Sequence, residues 1–286
     1  MENLLVNKVA AVKEVRQAAE YQKKKQACIL TGLAGSSKPV FFAAADKLLG
    51  GKGSMAFVTA SREEIRTYRR ELNYLYPDLP MQELYPVSLP RVQADTQSLE
   101  LQAGRAAALR FLSGEERGIV FITAEALQQK QLRPSGMSGK ALQLAVGEEH
   151  EQRNIAAALL DLGYERTEQV DALGQFCLRG DILDVYPINS SAAVRIEWFD
   201  NELDAMRSFD VDTQRSLQTL TSIKIAPLKV DESFSYDADI FEYCAADTMV
   251  VVDEPVHVFS MLEKLDKENK EHASELFGKQ ELIEQL

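Results

Sequence analysis

Two hydrophobic rhythms divide the chain. Up to about residue 130, short continuous apolar runs alternate with stretches of helical period. Residues 3 to 26 carry Leu4, Leu5, Val9, Val12 and Val15 and predict one helix, closed by Lys23, Lys24 and Lys25. Cations suit a helix C-terminus, so the triplet reads as a terminus before it reads as a nucleic-acid contact. Ala27 to Leu30 predicts a buried strand, Val40 to Leu49 a helix ended by Gly50-Gly51, and Met55 to Thr59 a second strand. Ser61 with Glu64 three residues on is a capping box opening a helix to about Tyr76, before Pro77. Gln82 to Tyr85 and Ile119 to Thr123 predict strands, Thr96 to Leu112 a helix, and Glu125 the start of another. Strands alternating with helices imply a parallel sheet covered on both faces.

The texture changes at Arg133-Pro134-Ser135-Gly136 to turn residues. Leu142 to Val146 predicts a strand and Gln152 to Leu162 a helix closed by Gly163. From 164 to 217 the period becomes two. Phe176 and Leu178 alternate with Gln175, Cys177 and Arg179, and Val194, Ile196 and Trp198 alternate with Arg195 and Glu197. That is the pattern of half-buried strands. Asp200-Asn201 reads as a hairpin turn. Leu183 and Val185 are out of phase with Phe176 and Leu178, which predicts a bulge or bend at Gly180-Asp181. The expected product is a small antiparallel sheet, one face on a core and one wet, with Arg179 and Arg166 on the wet face. Such a row is either a protein-binding surface or an idle solvated face. Pro227 ends this region. Residues 228 to 247 read as acidic and irregular, with a short helix near Ile240 to Cys244. Met249 to Val252 predicts a buried strand, and helix rich in Glu and Lys follows.

A length of 286 residues accommodates two domains. The formal net charge of −12 makes the chain a poor main grip on DNA, which needs many cations on phosphates. Cys28, Cys177 and Cys244 are far apart and odd in number, and His150, His257 and His272 have no ligand-like spacing. Neither a disulfide framework nor a metal site is indicated. Without a signal peptide or a run of about 18 apolar residues, the expectation is a cytoplasmic protein with no membrane partner.

One loop invites a nucleotide. A phosphate-binding loop needs GxxxxGK[ST], for backbone wrapping, for charge and for a magnesium-holding hydroxyl. The run here is GLAGSSKP. Gly32, Gly35 and Lys38 are present, but Ser37 stands at the second glycine of the motif and Pro39 at the hydroxyl. Pro39 offers neither an oxygen nor an N–H. Asp253-Glu254, after an apolar strand, looks like a Walker B end, useful only opposite a working loop. The expectation is a degenerate loop with Lys38 as a solvated loop lysine, and no catalytic group. Asp181 and Asp184 read as opposite faces of one strand, not as an acid/base pair.

Three blocks in order carry a family resemblance: GLAGSSK, then GQFCLRGDILDVYP with RIEWFDNELDAMRSFDVDTQRSL, then VVVDEP. Together they resemble the N-terminal, UvrB-like module of bacterial transcription-repair coupling factors, which is similar to the excinuclease component UvrB. The resemblance implies an α/β fold. Its degenerate P-loop-NTPase-like parallel-sheet lobe, similar to domain 1 of UvrB, occupies residues 1–140 and 228–286. A small antiparallel β-rich domain, similar to domain 2 of UvrB, is inserted at 141–227. It further implies that the inserted domain recruits UvrA, with Arg166, Arg179, Cys177 and Tyr186 as contact positions. Arg166 and Arg179 match arginines of UvrB, whereas Cys177 falls where UvrB has another arginine. By the same resemblance, RNA polymerase, DNA, ATP and magnesium belong to further domains of a longer protein that displaces stalled polymerase. This stretch itself is then expected to need no cofactor. The competing expectation is an ATP-dependent helicase or UvrB-like enzyme with a working nucleotide site; Ser37, Pro39 and the net charge oppose it.

Overall fold

The computed structural model describes residues 4–89, 99–133, 141–228 and 236–285. The first expected helix is two: α1 (Leu4–Ala10) and α2 (Lys13–Lys23). Val6 and Ala10 are buried, and then Val15 and Ala19. The step of five from Ala10 to Val15 is out of helical phase. An extended Val12 breaks the helix and returns the apolar face to the core. The lysines close α2 as anticipated, with Lys24 as its C-cap and Lys25 at φ 54°. Ala27 to Leu30 is not a strand. It is chain without regular structure, with Ile29 90% exposed, lining an apolar groove with Leu5, Val9 and Phe41. A four-residue apolar run says nothing about whether a neighbour exists to pair with it.

Helix α3 (Ser37–Leu48) begins three residues earlier than the pattern implied, because Pro39 falls in the first turn, where no intrahelical N–H is required. Then come β1 (Met55–Thr59), α4 (Arg62–Leu75), β2 (Met81–Leu84), α5 (Leu99–Ser113), β3 (Ile119–Thr123) and α6 (Ala124–Gln128). The capping box between Ser61 and Glu64 forms. Thr96, where the pattern starts α5, and Pro134 to Gly136 lie outside the described residues. After β4 (Gln131–Leu132) and β5 (Leu142–Ala145) come α7 (Gln152–Asp161), β6 (Glu165–Arg166), β7 (Gln175–Arg179) and β8 (Ile182–Val185). They are followed by β9 (Ala193–Phe199), β10 (Glu202–Phe209), β11 (Ser216–Leu220) and β12 (Ser222–Ile225). The chain then runs through β13 (Tyr236–Ala238), a 3-10 turn at Ile240–Tyr243 capped by Asp239, β14 (Met249–Val252), α8 (Pro255–Glu268) and α9 (Lys279–Gln285). Of the irregular stretch expected at 228 to 247, residues 229–235 lie outside the described residues.

The described residues fall into two compact units. One comprises Met1–Pro86, Ala108–Lys130 and Asp239–Leu286; the other comprises Val87–Ala107 and Gln131–Ala238. The first is built on a four-stranded sheet of order β14-β1-β3-β2, parallel at every pairing. Met55, Phe57, Ile119 and Phe121 pack into one core. Ala56, Val58, Val120 and Ile122 pack into another on the opposite face. Burial on both faces is why these strands read as unbroken apolar runs.

The second unit holds a six-stranded sheet of order β11-β10-β9-β8-β7-β6. Its pairings are antiparallel except β6 with β7, which run parallel. Asp200, at φ 59°, turns β9 into β10 as expected. The phase change at Gly180-Asp181 is a two-residue hairpin turn, with Gly180 at φ 56°, and not a bulge within one strand. Asp181 therefore belongs to the turn and Asp184 to the next strand. Phe176, Leu183, Val185, Ile196 and Met206 form the main core of this unit with Ile155 and Leu159 of α7. The opposite face is not wholly wet. Val170, Cys177, Ala193 and Phe209 form a second small core, flanked by Tyr186.

Candidate functional site

Cross-strand register assembles the polar face of the second sheet. Cys177 pairs with Asp184, Asp184 with Arg195, and Arg195 with Arg207, which places the four in one line across β7 to β10. The neighbouring line runs from Arg179 through Ile182 to Glu197. The Asp184 carboxylate is at the centre, its side chain 3% exposed. Arg195 donates from Nε to Oδ1 at 2.6 Å and from Nη2 to Oδ2 at 2.8 Å. Arg179 donates from Nη2 to the same Oδ2 at 3.2 Å. Arg195 also lies 4.7 Å from the centre of the Phe209 ring and donates to Gln214 at 3.1 Å. The Asp184 hydrogen bond, offset in part by burial, raises the pKa of the Arg195 guanidinium above its ordinary value. Arg207 is ion-paired with Glu197. The side chain of Arg179 is 54% exposed against 18% for Arg195, so Arg179 is the guanidinium presented to solvent.

The expected row is thus only partly assembled. Arg166 is exposed, but its register partner is Phe176, which faces the main core. It therefore lies at the open edge of the sheet on the other side from Arg179. Among the described residues its side chain makes no hydrogen bond or ion pair. Cys177 is not in an exposed row: it is 2% exposed, and its thiol donates to the Glu168 carbonyl at 3.0 Å. The segment after β6, which carries Val170 into the small core, covers it. Tyr186 is half-buried against the same core, with its hydroxyl 3.4 Å from the Ser191 carbonyl. Burial, then the charge of Asp210, raise the pKa of its phenol. Arg195 and Asp184 were readable as candidates from the alternation of β9 against β8, but only once the hairpin at Gly180 fixed which residues stand opposite one another.

The loop at Gly32 is tied up internally. Ala34 N–H donates to Ser37 Oγ at 2.9 Å, Ser37 N–H to the Ala34 carbonyl at 3.2 Å, and Lys38 N–H to the Gly35 carbonyl at 3.2 Å. A phosphate cradle needs such amides free and convergent. Lys38 is not a solvated loop residue. It lies in α3 and its Nζ contacts Asp253 Oδ1 at 2.7 Å and Glu254 Oε1 at 2.6 Å. Burial, then the Asp253 charge, drive the pKa of Tyr68 beside them upward.

Burial works to lower the Lys38 pKa, but the hydrogen bonds and charges of Asp253 and Glu254 together leave it raised; the Lys38 hydrogen bond lowers that of Glu254. A raised lysine contributes stability below its unfolded pKa and loses it as pH rises through the folded one. A depressed carboxyl contributes above its unfolded pKa and loses it as pH falls through the folded one. The clamp is therefore intact at neutral pH and opens at both extremes, with a small share from Glu254, which is 56% exposed. Asp253 is only 11% exposed. Lys38→Met leaves it without its cation, at an expected cost of about 1–3 kcal/mol. Urea unfolding at pH 7 measures this; an unchanged midpoint rules the clamp out.

Comparison with known proteins bears on the β-rich unit first. Residues 142–230 match the family model described as the UvrB interaction domain. The chain is 36% identical over 203 residues to the transcription-repair-coupling factor of Bacillus subtilis, covering 70% of this chain and 17% of that protein. It is 31% identical over 202 residues to that of Staphylococcus haemolyticus, covering 70% and 17%. Against that of Escherichia coli it is 28% identical over 165 residues, covering 58% and 14%. The chain thus spans about one sixth of the length of these relatives. No helix among the described residues is long and apolar enough to cross a membrane.

Proposed function

We propose that this chain, an N-terminal module of the transcription-repair-coupling factor family, recruits UvrA through its β-rich domain and performs no nucleotide chemistry of its own. The observation that carries the reading is the match of residues 142–230 to the UvrB interaction domain, since that stretch contains the arginine-bearing sheet. Arginine suits such a contact because its planar fork pairs two N–H groups with a carboxylate. Arg179 is the principal contact, supported by Tyr186, and Arg166 makes a separate contact at the sheet edge. Cys177 acts only by packing beneath the face. The recruiting domain is taken as residues 141–227, with a P-loop-NTPase-like lobe at 1–140 and 228–286.

The parent protein, on this reading, uses ATP and magnesium in motor domains to displace stalled RNA polymerase from DNA lesions in the cytoplasm. This stretch supplies the recruiting step. Calorimetric titration of UvrA into the chain is the test: saturable binding is expected, and its absence at high concentration of both proteins refutes the reading.

The rival reading, a working nucleotide enzyme, is opposed by the loop. Its amides at Ala34, Ser37 and Lys38 are spent internally, Pro39 has none, and Lys38 is turned to its own carboxylates. A fluorescent ATP analogue with magnesium is expected to show no saturable binding. A saturable signal lost in Lys38→Met supports the rival.

A further inference from the structure

The reading of the β-rich face as the UvrA contact leaves Asp184 unexplained. A carboxylate at the centre of a surface meant for acidic groups lowers its positive charge. Yet it is buried and accepts from two guanidiniums at once, three hydrogen bonds in all. Arg195 is further fixed by the Phe209 ring and by Gln214. It keeps few donors for a partner. Arg179 gives Asp184 only one Nη2 contact and stays half exposed, so it keeps more donors for a partner than Arg195 does.

We infer that Asp184 is a positioning residue for UvrA recognition: it holds the Arg179 guanidinium in its binding orientation while Arg195 is locked on the same carboxylate. One carboxylate beneath two cations leaves one positive charge in excess, on the more exposed arginine. A long arginine side chain loses rotamer freedom when a partner fixes it. Fixing it before the encounter removes part of that cost from binding. The inference rests on the UvrA reading.

The test separates positioning from charge, because the two predict opposite signs. Asp184→Asn adds one positive charge to the face. If net charge governed recognition of an acidic partner, affinity for UvrA would rise. If Asp184 positions Arg179, affinity falls; we expect at least a tenfold loss in titration of the folded variant. The free variant should also show faster exchange of the Arg179 Nη2 protons and of the Arg195 Nε–H by NMR, a change that a merely structural role does not require at the exposed arginine. Unchanged or tighter binding overturns the inference. If Asp184→Asn fails to fold, Asp184→Glu keeps the charge and moves the carboxylate by one methylene. Positioning then predicts a several-fold loss, and wild-type affinity overturns it. Wild type that does not bind UvrA refutes the underlying reading, and the recognition role with it. Wild type that binds while both variants match it refutes only the role of Asp184.

Discussion

Arg179→Glu abolishes measurable binding to UvrA while the chain remains folded. Arg179 ends β7, is 54% exposed and contributes one hydrogen bond of 3.2 Å to the face. Removing one partner of a desolvated, hydrogen-bonded charge pair at an interface costs about 2–5 kcal/mol. That range corresponds to a fall in affinity of roughly 30-fold to several thousand-fold. Reversal adds a second penalty, since the new carboxylate would face the acidic groups proposed on the partner and stands beside Asp184. Some stability is lost as well, because the buried Asp184 gives up one of its three hydrogen bonds and gains a carboxylate neighbour, but Arg195 keeps the other two and the fold survives. Far-UV circular dichroism with a calorimetric titration measures both quantities on one sample. A folded variant with wild-type affinity removes Arg179 from the interface.

The second large effect is structural. Phe57→Ala should destabilise the α/β unit by about 3–5 kcal/mol, the range for emptying an aromatic site in a core. Phe57 is fully buried in β1. Its ring centre lies 5.6 Å from that of Phe42, 5.2 Å from Tyr68 and 5.9 Å from Phe121, so one truncation touches three aromatic contacts. Against a usual stability of about 5–15 kcal/mol, this is a large fraction. Urea unfolding followed by circular dichroism reads it as an earlier transition. A loss under about 1 kcal/mol means that the core is not packed as described. The titration with UvrA, performed on folded material, should be unaffected, since the proposed contact residues Arg166, Arg179 and Tyr186 all lie in the other unit.

These two positions differ in how legible they were. The strands β1 and β3 stand where continuous apolar runs put them, because burial on both faces leaves no other pattern available. Ala27 to Leu30 has the same signature and yet lies exposed, since a run of apolar residues carries no information about a pairing partner. The break at Val12 lies in the spacing from Ala10 to Val15, a single out-of-phase step flanked on both sides by helical periodicity. Period two in β7 to β10 gave the sheet and its faces. It could not show that the segment containing Val170 folds over Cys177, because that is a contact between a loop and a strand face with no sequence period of its own. Lys38 is the extreme case. Its carboxylate partners are 215 and 216 residues away in sequence, so only their resemblance to the two halves of a nucleotide site hinted that they meet.

The parallel pairing of β1 with β14 has a consequence for how the molecule comes into being. Met55 lies beside Met249, and every residue of the β-rich unit is translated between them. At ordinary synthesis rates of about 5–20 residues per second, β14 emerges roughly 10–40 s after β1. Throughout that interval one edge of a strand that is apolar from Met55 to Val58 has no neighbour, which is the configuration that invites pairing with another chain. The intervening sheet is mostly made of consecutive hairpins and can form from local contacts early. The nascent chain therefore passes through a stage in which its β-rich sheet is complete while the parallel sheet is still open, and a chaperone that shields β1 would act in that window.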